Sequence, residues 1–226
     1  MTIRQTTLDF PTPDNHARRR FIIGACNAMA ADWIDRWPEW PGMIRALIIH
    51  GPRCSGKTHL ASIWSESTSA TTLTHLKDGI DHVNPANHYV LDGIAPNSNW
   101  PDDMLFLVLT RFTGAEGSLL LLADQSPASM PWKLADVTSR LAVMNTAQIT
   151  TPDDAMLHDL LQKLADDKGL ALDEDIIAYM VKRMERGYET AVQTIQALDE
   201  MSITEKKKVN LAMARKILNN GQATLF

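Results

Sequence analysis

Apolar residues in this chain follow two rhythms, and the change between them falls near residue 150. Before it, short continuous apolar runs alternate with stretches of helical spacing. The runs at 46–50 (Ala-Leu-Ile-Ile-His), 89–91 (Tyr-Val-Leu) and 119–123 (Leu-Leu-Leu-Leu-Ala) are too short for helices and too apolar for a half-exposed face. They predict strands buried on both sides. Weaker strand patterns lie at 71–76 and 147–149. Helical spacing fills the gaps. It covers 21–37 after Gly24, with Ala25, Met29, Trp33 and Ile34 on one face, then a Gly-rich turn at 51–58 leading into a helix through Trp64, and then 104–112. Two prolines and a glycine make 37–42 a loop. Strands alternating with helices predict a parallel sheet with helices on both faces.

After Thr151-Pro152-Asp153-Asp154 no strand pattern remains, and helices are expected at 155–165, 174–186, 189–201 and 211–218. The predicted fold class is therefore α/β, a parallel sheet flanked by helices, followed by a small all-α domain. The predicted organisation is a flexible tail at 1–17, an α/β base at 18–150, a helical domain at 151–218 and a second tail at 219–226. No internal repeat is visible.

Composition narrows the picture slightly. The 226 residues are 45% hydrophobic and 22% charged, ordinary values for a globular protein. A net charge of -5 argues against a broad nucleic-acid surface, because phosphate contacts need a basic face. The two cysteines are Cys26 and Cys54, and Cys54 sits inside the Gly-rich turn, so a disulfide framework is not expected and a reducing cytosol is. The start of the chain is polar and runs into Arg18-Arg19-Arg20, with no leader pattern, and no apolar run is long enough to span a bilayer. A cytoplasmic protein without membrane contact is expected. The histidines show no metal spacing, and Lys206-Lys207-Lys208 reads as a solvated helical face rather than a DNA contact.

The chemistry concentrates in Gly51-Pro52-Arg53-Cys54-Ser55-Gly56-Lys57-Thr58, which fits G-x-x-x-x-G-K-[ST] between an apolar strand and an amphipathic helix. Backbone N–H groups of such a loop turn inward around phosphates, helped by the helix N-terminus. Lys57 is placed to reach the β- and γ-phosphates and Thr58 to bind Mg2+. Asp92 ends a strand some way on, where P-loop proteins hold the acid of the Mg2+ shell; its other reading is a strand-end cap into Gly93. Many ATPases carry a second carboxylate just after that acid to orient the attacking water. Gly93 cannot serve as a base, so slow hydrolysis at this chain's own site is expected.

Several segments share one resemblance. Phe21-Ile22-Ile23-Gly24-Ala25-Cys26-Asn27 resembles the F-h-h-G-x-x-N segment of DnaA and its relatives, and 34–41 looks like the Hda-type proteins of alphaproteobacteria. Leu121-Leu122-Ala123-Asp124-Gln125-Ser126-Pro127 resembles their sensor 1 segment, Asp136-Val137-Thr138-Ser139-Arg140-Leu141 resembles D-L-x-S-R-L, and 198–204 resembles the Hda lid. Together these span residues 5 to about 218. The chain is thus similar to the Hda family of DnaA-related AAA+ proteins.

The resemblance implies a P-loop AAA+ base and a helical lid that bind ADP or ATP with Mg2+. It places Ile22 and Ile23 near the adenine, Asp124 at sensor 1, and Arg140 as an arginine finger offered to a neighbouring subunit. The bland reading of Arg140 is a solvated surface residue. The sensor 2 arginine of the family falls on Glu189, and Arg186 could substitute only if the chain stays helical through Gly187.

At the tails, Gln5, Leu8 and Phe10 fit Q-x-x-L-x-F, and Gln222, Leu225 and Phe226 fit Q-x-x-L-F, both resembling motifs that bind the β sliding clamp of DNA polymerase III. Gly221 is read as releasing the second motif from the last helix. An ordinary disordered tail, or an apolar terminus packing on a subunit, is the alternative. The implied partners are DnaA and the clamp, with DNA met only through the clamp; homo-oligomerisation stays open. The implied function is to promote hydrolysis of DnaA-bound ATP and so repress re-initiation of chromosome replication. The competing readings are a self-contained ATPase or clamp-loader-like subunit, and a non-catalytic adaptor between clamp and DnaA. No helix-turn-helix pattern follows the lid, so direct reading of origin DNA is not expected.

Overall fold

The computed structural model describes residue 18, residues 20–75 and residues 80–222, without the side chains of 220–222. The N-terminal motif Gln5, Leu8 and Phe10 lies outside the described residues, as do Leu225 and Phe226.

Five strands form one sheet: β1 (Ala46–His50), β2 (Thr71–Leu73), β3 (Tyr89–Leu91), β4 (Leu119–Ala123) and β5 (Asn145–Gln148), in the order β2-β3-β4-β1-β5. Every pairing is parallel, with Ala46 opposite Leu119 and Leu47 opposite Asn145. The helices of the base are α1 (Ala28–Asp35), α2 (Lys57–Thr68), α3 (Asp102–Arg111) and α4 (Ala135–Ala142).

Alternate residues of β1 and β4 feed two different cores, as the pleat requires. Leu47, Ile49, Leu120 and Leu122 pack with α1 and α2, while Ile48, Leu119 and Leu121 pack with α3 and α4. β1 and β4 are buried at every position, which is why their sequences are continuous rather than alternating.

The remaining helices, α5 (Asp154–Asp167), α6 (Glu174–Val181), α7 (Tyr188–Glu205) and α8 (Leu211–Gln222), enclose a third core of Leu157, Leu161, Ile177, Met180, Ile195 and Leu198. Burying each such side chain contributes on the order of 1.5–3 kcal/mol. Met156 and Tyr188 instead join the core shared with α1 and α2, and tie the lid helices to the base.

Three expectations need correction. The helix expected over 21–37 starts at Ala28, and its buried face is Ala30, Ala31 and Ile34; Met29 is 58% exposed, Ala25 is exposed and Trp33 only half-buried. The cause is Asn27. Its Oδ1 accepts the Gly24 N–H at 2.9 Å and its Nδ2 donates to the Ile22 carbonyl at 2.9 Å, locking 22–27 in a turn and resetting the helical phase.

The helix expected over 174–186 stops at Val181, and Gly187 is extended (φ -158, ψ 144) as the cap of α7. Arg186 and Glu189 therefore do not share a helix. Finally, α8 continues through Gly221 to Gln222, so Gly221 does not free that motif and Gln222 is helical. No described helix is long and apolar enough to cross a membrane.

Candidate functional site

The Gly-rich turn joins the end of β1 to α2. Two residues in left-handed conformations, Cys54 (φ 61) and Gly56 (φ 91), fold it back on itself. Gly51 donates to the Ala123 carbonyl at 3.2 Å and passes so close to β5 that a Cβ would meet the Ile149 carbonyl oxygen at 2.4 Å. A side chain on Gly56 would meet Phe21 Cε2 at 3.0 Å, so the opening segment caps the loop directly.

Lys57 is the first residue of α2, and its side chain is only 10% exposed. Its ammonium donates to the Gly51 and Pro52 carbonyls, both at 2.8 Å, and to Asp124 Oδ1 at 3.0 Å. An incoming phosphate competes with these three acceptors for the same protons. Ser55 is 3% exposed, and its Oγ has no hydrogen-bond partner among the described residues. Buried hydroxyls are normally paired, so this one suits a group supplied from outside. His50, next to Gly51, is held below the usual histidine range, first by burial and then by the nearby Lys57 charge.

The other residues of the site arrive at the same end of the sheet. Asp92 follows β3; its N–H donates to the Leu73 carbonyl at 3.0 Å and its carbonyl accepts from Trp100 Nε1 at 2.7 Å, which fixes its backbone. Lys57, Asp92, Gly93 and Asp124 line one cleft of about 440 Å3, and Thr58 and Asp92 meet in the adjoining one. Gly93 (φ 75) leaves open space where a side chain would stand. The Lys57 ammonium and the unpaired Ser55 hydroxyl at the loop fit a polyphosphate, and the oxygen donors of Thr58 and Asp92 fit a hard cation such as Mg2+. Among the described residues no cluster of three or more His, Cys, Asp or Glu side chains forms a dedicated metal site.

A second, narrower cleft of about 140 Å3 lies between Phe21, Ile22, the Cys54–Gly56 segment of the loop, and the lid residues Lys163, Tyr188 and Val192. Ile22 lines it, whereas Ile23 is 49% exposed and does not. Arg53 and Pro52 are exposed on the loop, Pro52 contributing its carbonyl to Lys57. Arg186 lines neither cleft. It pairs with Asp154 at 2.9 Å on an exposed surface, and is corrected as a phosphate ligand.

Sequence reasoning missed Lys163 and Tyr188, and named Phe21 only as part of the opening segment. Tyr188 is buried, its hydroxyl 3.1 Å from Cys26 Sγ. Burial, together with the Cys26 thiol, pushes this phenol far above its usual range. A buried aromatic directly after Gly187, one helical turn from Val192, was the available signal.

Arg140 stands apart. It lies in the last turn of α4, with its guanidinium 3.1 Å from Thr113 Oγ1 and 5.2 Å above the centre of the Phe106 ring. α4 leads into β5, whose first residue pairs beside the start of β1, whereas the Gly-rich turn leaves the other end of β1. At roughly 3.3 Å per residue, the strands separate the two sites by roughly 15 Å or more.

Residues 153–218 match the model of the Hda lid domain. A curated relative, an uncharacterised protein of Haemophilus influenzae, is 25% identical over 186 residues, covering 76% of this chain and 80% of that protein. Domain III of the Thermotoga maritima replication initiation protein DnaA superposes with a TM-score of 0.72 at 18% identity, covering 92% of this chain and 97% of that one. AMPPCP-bound DnaA from Aquifex aeolicus gives 0.65 at 15% identity, over 95% of this chain and 72% of that one. A Thermotoga maritima RuvB mutant gives 0.61 at 12% identity, over 91% and 69%.

Proposed function

We infer from the Hda lid match and the DnaA-like fold that the chain is a Hda/DnaA-like AAA+ protein, and we propose that it regulates chromosome replication by promoting hydrolysis of DnaA-bound ATP. It binds ADP or ATP with Mg2+ through residues 51–58, with Lys57 on the phosphates, Thr58 and Asp92 on the metal, Asp124 beside them and Ile22 near the base. Its tails hold it at the β sliding clamp, and DNA is met through that ring.

One observation carries the reading: Arg140 is fixed by Thr113 and Phe106 at the opposite end of the sheet from the chain's own loop. It is out of reach of the chain's own nucleotide, which supports a role on one held by another subunit. In that site a water oxygen bonds to the γ-phosphorus, the bond to the β–γ bridging oxygen breaks, and the water's proton leaves through the partner's base. ADP and inorganic phosphate result. A guanidinium stabilises the charge on the transferring oxygens, for about 10³–10⁵ in rate. The chain's own site lacks a base at Gly93 and turns over slowly. With Arg186 paired to Asp154 and a carboxylate at Glu189, the γ-phosphate gains little, so ADP is bound at least as well as ATP.

The test is hydrolysis of DnaA-bound ATP with this protein, clamp and DNA, each omitted in turn. Stimulation requires all components, and Arg140→Ala removes it while fold and nucleotide affinity persist. Full stimulation by Arg140→Ala would leave an adaptor; rapid turnover by the isolated chain would leave a self-contained ATPase.

A further inference from the structure

The lid carries a charge imbalance that the nucleotide site does not use. Residues 206–226 include Lys206, Lys207, Lys208, Arg215 and Lys216 and no Asp or Glu, in a chain whose net charge is -5. Such asymmetry within one chain points to an anionic partner. Elsewhere on the lid cations are neutralised. Lys163 pairs with Asp167 at 2.7 Å, Lys168 with Asp199 at 2.8 Å and Arg186 with Asp154 at 2.9 Å.

Where α6 meets α8 they are not. Arg183, just past the end of α6, holds its guanidinium 4.3 Å above the centre of the Tyr179 ring, and that of Arg215 on α8 lies 5.5 Å from the same centre. Met180, Met213 and Ala214 are buried in the lid core, which fixes the two segments against each other, and Tyr179 packs on that core. Lys182 and Met184 donate to the Ala178 (3.4 Å) and Met180 (2.8 Å) carbonyls, so the helical turn runs on and Lys182 stands with Arg183 one turn from Tyr179. Lys182, Arg183 and Arg215 are exposed, and none pairs with a carboxylate among the described residues. No Asp or Glu lies three or four positions from Arg183 or Arg215. A helix C-terminus favours cations, which accounts for Lys182 and Arg183. It does not account for Arg215, which sits inside α8 and brings a second like charge to the same ring.

The chemistry of the cluster narrows the partner. Planar guanidinium forks match phosphate oxygens, two bonds at a time. With both guanidiniums on Tyr179, that ring is taken and is no platform for stacking unpaired bases. What remains is recognition of a phosphate backbone without base reading, and a duplex presents such a backbone at regular spacing. We propose that Lys182, Arg183 and Arg215 form a sequence-independent contact between the lid and the phosphate backbone of duplex DNA. The rest of this acidic chain repels DNA, so the contact is weak in free solution and gains from any tether that holds the chain beside a duplex. The role of Arg140 does not enter into it.

The experiment is fluorescence anisotropy of a short labelled duplex of arbitrary sequence, titrated with the full chain between about 50 and 200 mM salt. Wild type binds, and the logarithm of its affinity falls against the logarithm of salt with a slope of about -2 to -3, near 0.9 for each phosphate neutralised. Arg183→Gln with Arg215→Gln keeps most of the side-chain bulk on the ring. This variant melts and binds ADP as wild type does, yet binds the duplex at least about tenfold more weakly at the lower salt, with a shallower slope. Lys207→Glu with Lys208→Glu makes a larger charge change on the link between α7 and α8 and shifts binding by no more than a few-fold. Arg140→Ala binds the duplex as wild type does; its effect on DnaA-bound ATP is read in a separate assay, so either result can fail without the other. Wild-type affinity in the Arg183→Gln, Arg215→Gln variant overturns the proposal. So does an equal loss in the Lys207→Glu, Lys208→Glu variant, or a wild type that does not bind the duplex at the lower salt. Tighter binding of a single strand than of the duplex overturns it in favour of base contacts. Polyglutamate that binds more tightly than the duplex, and loses that binding with Arg183→Gln and Arg215→Gln, assigns the cluster to an acidic protein and overturns it as well.

Discussion

Lys57, Asp124 and His50 show how tightly the candidate phosphate site is set by individual residues. The ammonium is held by two loop carbonyls and one carboxylate, so the loop keeps its shape through its own lysine. His50 sits behind it with its pKa lowered by burial and by Lys57. An unfolded chain takes up a proton near pH 6.5 that folded His50 does not, so stability falls as pH drops through that value. His88, lowered mainly by burial, has the same sign, while His158, raised mainly by its hydrogen bond to Glu174, has the opposite one. Urea unfolding at pH 7.5 and pH 5.5 should therefore show a smaller loss for His50→Gln than for wild type. An undiminished loss would mean that His50 titrates normally. At this scale the sequence was largely legible: G-x-x-x-x-G-K-[ST] located Lys57 and Thr58, and strand ends located Asp92 and Asp124. Ile23 was misplaced because a resemblance to a motif does not say which of two adjacent residues outside regular structure lines the cleft.

Among the elements, doubly buried strands were easy to read and helix boundaries were not. β1 and β4 announced themselves through continuous apolar runs, since neither face meets water. The register of α1 was hidden in a side chain, because Asn27 stops the chain before the helix begins. Asn27→Ala leaves the Gly24 N–H and the Ile22 carbonyl without these partners. It should cost about 1–3 kcal/mol in chemical denaturation, as expected when buried polar groups lose their bonds. A loss well under that range would show that water replaces the amide. The end of α6 was hidden for a different reason. Met184 is buried beyond it, so the apolar spacing carries on after the helix has stopped. The Tyr188–Cys26 contact joins α7 to the opening segment beside the narrow cleft. Tyr188→Phe should cost about 1 kcal/mol and weaken adenine-nucleotide binding, read by melting with and without ADP. An equal ADP-induced rise in Tm for the variant would separate that contact from the ligand.

For the molecule as a whole, the parallel sheet does the organising. It collects Lys57, Thr58, Asp92 and Asp124 at the C-terminal ends of its strands, where open α/β sheets place their ligands, and holds Arg140 at the other end. That separation could not be read from spacing in the sequence, because it depends on strand order. The tails that carry the clamp-type motifs were legible only as motifs.

The account depends first on the chain being a nucleotide-governed protein. The most direct test is calorimetric titration of ADP and ATP, with Mg2+, into the folded wild type and Lys57→Ala. The account predicts saturable binding, with ADP at least as tight as ATP, and its loss in Lys57→Ala. A folded wild type that takes up neither nucleotide, or a Lys57→Ala variant that binds as wild type does, would contradict it.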